Sequence, residues 1–323
     1  MRRPPAIRPA RRQGSPVAAD PGTVPPVPGD GELSAAQREI RDEFVRRRGY
    51  WAEDWQLILE LAPEIMAAYT DLSAYAWETG SLDAKTREFM YIATTAAVTH
   101  IHPIGIRTHG RNALRAGATP RELVTVLALL AGLGMAGYQL AVEVLEEVSP
   151  GSTAIQPCPG ERFVELRAQF ERVFGVWDER AAPAIHADPE FFARFLRWAG
   201  AARVSGVLSP HVVALISIAA NASVTHLDRR ALAREIRAAL ALGVTPAEIL
   251  EVCNMTSGVS VHSLTVGVPI IADLIREEAA TQPAGPDRHE AMAEGQNPVA
   301  DTQAPDEQSA GPDGQGADSA EDS

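Results

Sequence analysis

The sequence predicts an all-α fold: two tandem helical modules forming one pseudo-symmetric unit. Three observations predict it. First, the segment with Leu82, Val98-Thr99-His100, Arg111, Ala113-Leu114, Gly117, Thr119-Pro120, Glu122, Val126 and Gly132 recurs. Its second copy is Leu208, Val224-Thr225-His226, Arg237, Ala239-Leu240, Gly243, Thr245-Pro246, Glu248, Val252 and Gly258, always 126 residues on. A period this long exceeds a solenoid unit and reads as a fused, diverged module. Second, apolar residues recur at helical spacing, with almost no strand-like alternation. Third, helix start and stop signals stand at regular places.

The elements follow in order. Residues 1–33 are rich in Pro, Gly, Arg and Ala, and residues 279–323 in Gly, Asp, Glu, Gln and Pro. Neither stretch carries enough apolar surface to offset chain entropy, so both are read as disordered tails. Residues 34–150 and 151–278 are the two modules. Ser34 caps a helix through Arg48, and Pro63 opens one to Glu78 that Gly80 ends. Asp83 caps a helix whose apolar stripe is Phe89, Ile92, Ala93, Ala96 and Ala97. Its counterpart after Ser209-Pro210 is Leu215, Ile216, Ala219, Ala220 and Ser223. A polar helix with His109, Arg111 and Leu114 stops at Gly117. Thr119-Pro120-Arg121-Glu122 and Thr245-Pro246-Ala247-Glu248 are capping boxes, which assigns Glu122 and Glu248 to caps. Behind them, residues 123–133 and 249–259 are apolar nearly all round and are expected to be buried. Asp188-Pro189 opens a helix through Phe191, Phe192, Phe195 and Trp198. Trp51, Trp55, Trp77, Trp177 and Trp198 are read as packing residues, and Tyr138 as core.

Composition excludes several functions. The formal charge is -13, and ten acids against Arg288 alone stand from Asp287 onward. There is no basic footprint, so no nucleic-acid partner is expected. No apolar run of spanning length is free of charge, Gly or Pro, and no apolar stretch follows Arg2, Arg3, Arg11 and Arg12. Neither a membrane partner nor a secretory signal is expected. Cys158 and Cys253 form no CxxC pair, which fits a reducing cytoplasm.

The chemistry concentrates in histidines. His100, His102 and His109 fall within ten residues around a Pro/Gly turn. On residues alone they are an active-site cluster or a transition-metal site. Alternatively His100 is structural: like His226 it follows Val-Thr, at a helix end it would hydrogen-bond. The second copy places Asp228 opposite His102, Glu235 opposite His109 and His262 opposite Ala136. His262 faces a pocket or is an interior histidine. Glu235, His226 and His262 together are a candidate second site. Glu88 is read as solvated or paired near Lys85 and Arg87, with orientation of a histidine as the alternative.

One ordered constellation carries a resemblance. An alanine-rich helix and a histidine-bearing turn precede His109-Gly110-Arg111-Asn112-Ala113-Leu114, Gly117, Thr119 and Glu122, then an apolar helix. This resembles the carboxymuconolactone decarboxylase superfamily, which includes alkyl hydroperoxidase D. The likeness covers roughly residues 40–148 and again roughly 165–275. It implies an all-α fold and a homo-oligomer, here a trimer of two-module chains. Peroxidase members carry C-x-x-C-x-x-x-H. Set on His109, His102 and Gly105 take the cysteine places; in the second copy Asp228 and Ala231 do, with Glu235 at the histidine. Without a thiolate the dithiol cycle cannot run, so peroxiredoxin-type activity is disfavoured. Cys253 is read as an inert core thiol.

Decarboxylase members act on a carboxylated lactone. Losing CO2 leaves electron density that an acid must quench at carbon, beside cations that hold carboxylates. The resemblance implies His109 as acid/base, with His102 and His100 as further catalytic candidates. Arg107 and Arg111 are the expected carboxylate binders. His262, His226 and Glu235 are further substrate-binding candidates. The family's decarboxylases carry Glu four residues before the histidine, where Gly105 stands here. The reading is a carboxy-lyase acting on a small organic acid or lactone without a cofactor. A metalloenzyme holding its metal through His100, His102 and His109, and a non-catalytic small-molecule binding module, are the alternatives.

Overall fold

The computed structural model describes residues 33–152 and 158–281, and most of both expected tails lies outside the described residues. In the first half the helices are α1 (Ala35–Arg48), α2 (Gln56–Leu61), α3 (Pro63–Thr79), α4 (Ala84–Thr95), α5 (Pro103–Arg115), α6 (Pro120–Leu129) and α7 (Met135–Val148). In the second half they are α8 (Gly160–Phe174), α9 (Ala181–Ala187), α10 (Pro189–Gly200), α11 (Pro210–Ala222), α12 (Arg229–Ala241), α13 (Pro246–Ser257) and α14 (His262–Thr281). Among the described residues there is no strand.

Local chemistry explains the boundaries. The side chains of Ser34, Asp83, Thr119, Asp188, Ser209 and Thr245 each accept a backbone N–H of the first turn they precede. Thr119 with Glu122, and Thr245 with Glu248, close the reciprocal capping boxes. Gly49, Gly117, Gly175 and Gly243 take φ of 80°, 86°, 80° and 87° just past helix ends, where a Cβ would be strained.

The element order of the first half recurs in the second at the 126-residue offset, down to Pro63 and Pro189 as first helical residues. Even the rare left-handed residues correspond: Ile101 at φ 45° and Leu227 at φ 50°. A β-branched residue there is unusual, so this turn is held by its surroundings.

Helices α4 and α11 pack on each other at the centre. Phe89, Ile92 and Ala93 share one core with Leu215, Ile216 and Ala219, so neither half buries its stripe alone. Each fully buried large side chain contributes about 1.5–3 kcal/mol. Two smaller cores flank it: Phe44, Trp55, Ile58, Leu59 and Met66, and Leu166, Phe170, Ile185 and Phe192. An ion pair also crosses the halves. Arg87 Nε donates to Glu251 Oε1 at 2.9 Å, both side chains being buried. The same carboxylate accepts the backbone N–H groups of Ser81 and Leu82. A Cβ on Gly80 would sit 2.1 Å from Glu251 Oε1, so glycine is required there.

Two expectations need correction. The helices behind the capping boxes are not buried all round: Val124 and Leu250 are 65% and 64% exposed. Their inward faces carry Val126 and Leu129, or Val252 and Met255, and both end in a 3-10 turn, Leu130–Gly134 or Gly258–Val261. Trp198 projects outward, 65% exposed, whereas the other four tryptophans pack against rings or guanidinium groups. The runs Pro120–Val148 and Pro246–Glu278 are long and apolar enough to cross a membrane by length and composition, and each holds charged and Gly residues. Each is interrupted by its 3-10 turn and keeps one face on the protein, through Val142 or Ala272.

Candidate active site

The end of α1, the loop after Gly49, α4, the start of α5 and the start of α14 converge on one cavity. Arg48, Tyr50, Tyr91, His102, His109 and His262 line it. It therefore draws on both halves of the chain.

His109 sits on the inner face of α5, and its Nδ1 lies 2.8 Å from Glu88 Oε2. Both residues are buried, at 8% and 2% exposure. Glu88 is thus neither solvated nor paired with Lys85 or Arg87; it takes the alternative role beside a histidine. Lys85 pairs with Glu122 and Arg87 with Glu251, leaving Glu88 on the α4 face that meets His109. Tyr91, one turn further along α4, stacks on the His109 ring at 4.5 Å. A carboxylate on Nδ1 and a ring on one face fix the imidazole's orientation.

His102 is the N-cap of α5: its Nδ1 accepts the Gly105 N–H at 2.9 Å. That bond makes Nδ1 the acceptor and puts the proton of the neutral ring on Nε2. Asp228, its counterpart, is the N-cap of α12 and accepts the N–H groups of Arg230 and Ala231. The two residues differ in chemistry and share one structural task. The cap also explains the glycine at 105. A Cβ there would lie 2.7 Å from Thr95 Cγ2 and 2.8 Å from His102 Nδ1.

His262, from the other half, joins this cluster. Its ring stacks on His102 at 3.8 Å, and its Nδ1 lies 2.7 Å from His100 Nε2. His100 therefore bonds another imidazole rather than a helix end. Burial lowers the pKa of all three rings, and that of His262 falls to about 3. His102 and His262 are parallel within 7°, so their in-plane lone pairs lie in separate planes and cannot meet at one ion. Among the described residues no group of three His, Cys, Asp or Glu is placed to hold a metal.

The cavity's cation is Arg48. It is 5% exposed, and its Nε and Nη1 have no hydrogen-bond partner. Its guanidinium lies 5.6, 4.6 and 5.2 Å from the rings of Tyr50, Trp77 and Tyr91. Burial raises the pKa of Tyr50, Tyr69 and Tyr91, which keeps these phenols as O–H donors. Burial likewise raises Asp54, whose Oδ1 is unpartnered.

Other expected residues lie elsewhere. Arg107 and Arg111 are exposed and line a neighbouring open groove beside Trp51 and Glu53, outside the histidine cavity. Their positions on α5 point away from the face that carries His109. His226 and Glu235 line a different cavity, which also draws on both halves, so they do not share a site with His262. Cys158 and Cys253 are free, line neither cavity, and have pKa values raised by burial. Arg48, Tyr50 and Asp54 were missed. They lie more than fifty residues before His109, and no spacing rule links them to it; the aromatic pair Tyr50-Trp51 after a helix stop is the one local signal.

Comparisons with known proteins agree with this fold. The model of the carboxymuconolactone decarboxylase family matches residues 63–147. A crystal structure from Burkholderia xenovorans, provisionally named a gamma-carboxymuconolactone decarboxylase subunit, aligns with TM-score 0.70 at 30% identity, covering 78% of this chain and 100% of that one. A search of curated proteins finds no match. The chain belongs to the carboxymuconolactone decarboxylase family, with that family's all-α fold.

Proposed function

We propose that the histidine cavity is the active site of a carboxy-lyase acting on a small organic acid or carboxylated lactone. The observation that carries the proposal is Arg48, a buried guanidinium with two unpartnered N–H groups, on the cavity that holds the His109–Glu88 pair. An unpaired buried cation is costly, which makes the cavity a receptor for an anion. A substrate carboxylate would give Arg48 the charge-assisted hydrogen bond it lacks.

The chemistry follows from the residues. The C–C bond to the departing carboxylate breaks, CO2 leaves, and the bonding pair passes into the conjugated lactone. The tyrosine hydroxyls supply hydrogen bonds to the enolate oxygen. His109, held through Nδ1 by Glu88, presents Nε2 to the substrate and delivers the proton to carbon. The Glu88 carboxylate holds the ring in that orientation through the transfer. His102 and His262, held neutral by burial, wall the cavity on the other side.

The family resemblance supports the reaction class, and the pairing of His109 with Glu88 supports the choice of acid. Measuring CO2 release from carboxymuconolactone with the wild type and His109→Ala tests it. We expect a loss of about a hundredfold or more in kcat for the variant. Equal rates would remove His109 from the reaction, and no turnover by the wild type would sink the lactone as substrate.

A further inference from the structure

A second cavity lies where α7 of the first half meets α8, α10, α11 and α12 of the second. It is the counterpart of the first at the 126-residue offset, and its chemistry is different. Phe174 stands where Arg48 stands, Glu235 where His109 stands, and Ala136 where His262 stands. The unpaired cation of the first cavity is therefore gone.

Its charges are balanced. Asp178 pairs with Arg180 and Arg234, Asp228 with Arg180, and Glu235 with Arg203 and Arg234. Three guanidinium groups face three carboxylates, so neither an anion nor a cation finds an unmet charge. Phe170, Phe192 and Leu133 give the cavity an apolar wall. Yet Gln139 Nε2, Glu235 Oε2 and His226 Nε2 are buried without a hydrogen-bond partner, and all three residues line this cavity. Gln139 is 4% exposed and Glu235 fully buried. Leaving a donor and an acceptor unmet on one cavity costs stability that a ligand carrying both functions would restore.

We infer that this cavity binds a small uncharged molecule with an aromatic or alicyclic body and a hydroxyl group. The hydroxyl donates to Glu235 Oε2 and accepts from Gln139 Nε2, while the body packs among the phenylalanines. This site is separate from the proposed active site and does not depend on the decarboxylase reading.

Three near-isosteric probes test it on the full chain by titration calorimetry: benzyl alcohol, benzoate and benzylamine. Benzyl alcohol should saturate one site, with both charged probes about tenfold or more weaker at it. Ala136→Trp, which fills this cavity alone, and Gln139→Leu should each weaken benzyl alcohol by about tenfold or more. Benzoate bound at the first cavity through Arg48 is recognised because Ala136→Trp leaves it unchanged. Should Ala136→Trp fail to fold, Gln139→Leu carries the test. No binding of benzyl alcohol, binding unaltered by the folded variants, or equal binding of the charged probes at this site would overturn the inference. The first of these outcomes would leave water as the partner of the three buried atoms.

Discussion

His109 and His262 owe their opposite behaviour to what they touch. His109 meets a buried carboxylate, whereas His262 meets two other imidazoles in a desolvated stack. A neutral stack has a consequence for acid stability. An unfolded histidine takes up its proton near pH 6.5, but the folded chain holds His262 deprotonated down to about 3. The unfolded state therefore binds more protons in that window, and stability present above it is lost as pH falls through it. His262→Gln should lose less stability than the wild type between about pH 7 and about pH 4.5 in urea titrations. Equal losses would show that the stack does not set acid lability. The depressed Asp178, Asp228 and Glu235 act in the same direction in both proteins and drop out of the comparison. The histidines themselves were legible in the sequence, because His109 sits in a motif and His262 breaks the repeat. Glu88 and Arg48 were not. A carboxylate on a helix beside Lys85 and Arg87 looks solvated until the helix face it occupies is known. A buried arginine has no local signature.

Helix boundaries were the most readable feature, since each rests on a cap and a stop within a few residues. Ser34, Asp83, Thr119 and Thr245 do in the structure what their residue types dictate. Burial was less readable. An apolar helix surface does not say whether it faces a core or remains open, and Val124 and Leu250 are open. The first turn of α5 shows how an element limits chemistry. His102 caps it, Ile101 enters it at positive φ, and Gly105 leaves no room for a side chain. Gly105→Ala should destabilise the protein by about 1–3 kcal/mol through overpacking against Thr95 and His102. A denaturant midpoint unchanged from the wild type would contradict that. The glycine that departs from the family's decarboxylase pattern is thus matched to the cap beside it.

The whole molecule is joined through its core rather than by a linker between domains. Phe89 and Leu215 share one cluster, and Arg87 reaches Glu251 across the halves. Glu251→Ala would leave Arg87 buried without its partner and the Ser81 and Leu82 N–H groups unmet. We expect a loss of about 3–5 kcal/mol in urea unfolding. A loss below about 1 kcal/mol would mean that the clasp is dispensable. The outer faces of α7 and α14 carry exposed Leu140, Val144, Val266, Ile270 and Leu274. Faces of this kind suit burial against another copy, so sedimentation velocity should find a homo-oligomer; a monomer at micromolar concentration would count against it. The 126-residue repeat was plain in the sequence, but the sharing of the site was not. Periodicity relates equivalent positions, while the cavity brings together Arg48, His109 and His262, which are not equivalent to one another.

The central claim is that this shared cavity binds a carboxylate through Arg48 and protonates carbon through His109. Steady-state decarboxylation of carboxymuconolactone by Arg48→Met and His109→Asn tests it most directly. The account predicts a rise in KM of about tenfold or more for Arg48→Met, and a fall in kcat of about a hundredfold or more for His109→Asn. Wild-type kinetics in either folded variant would contradict it.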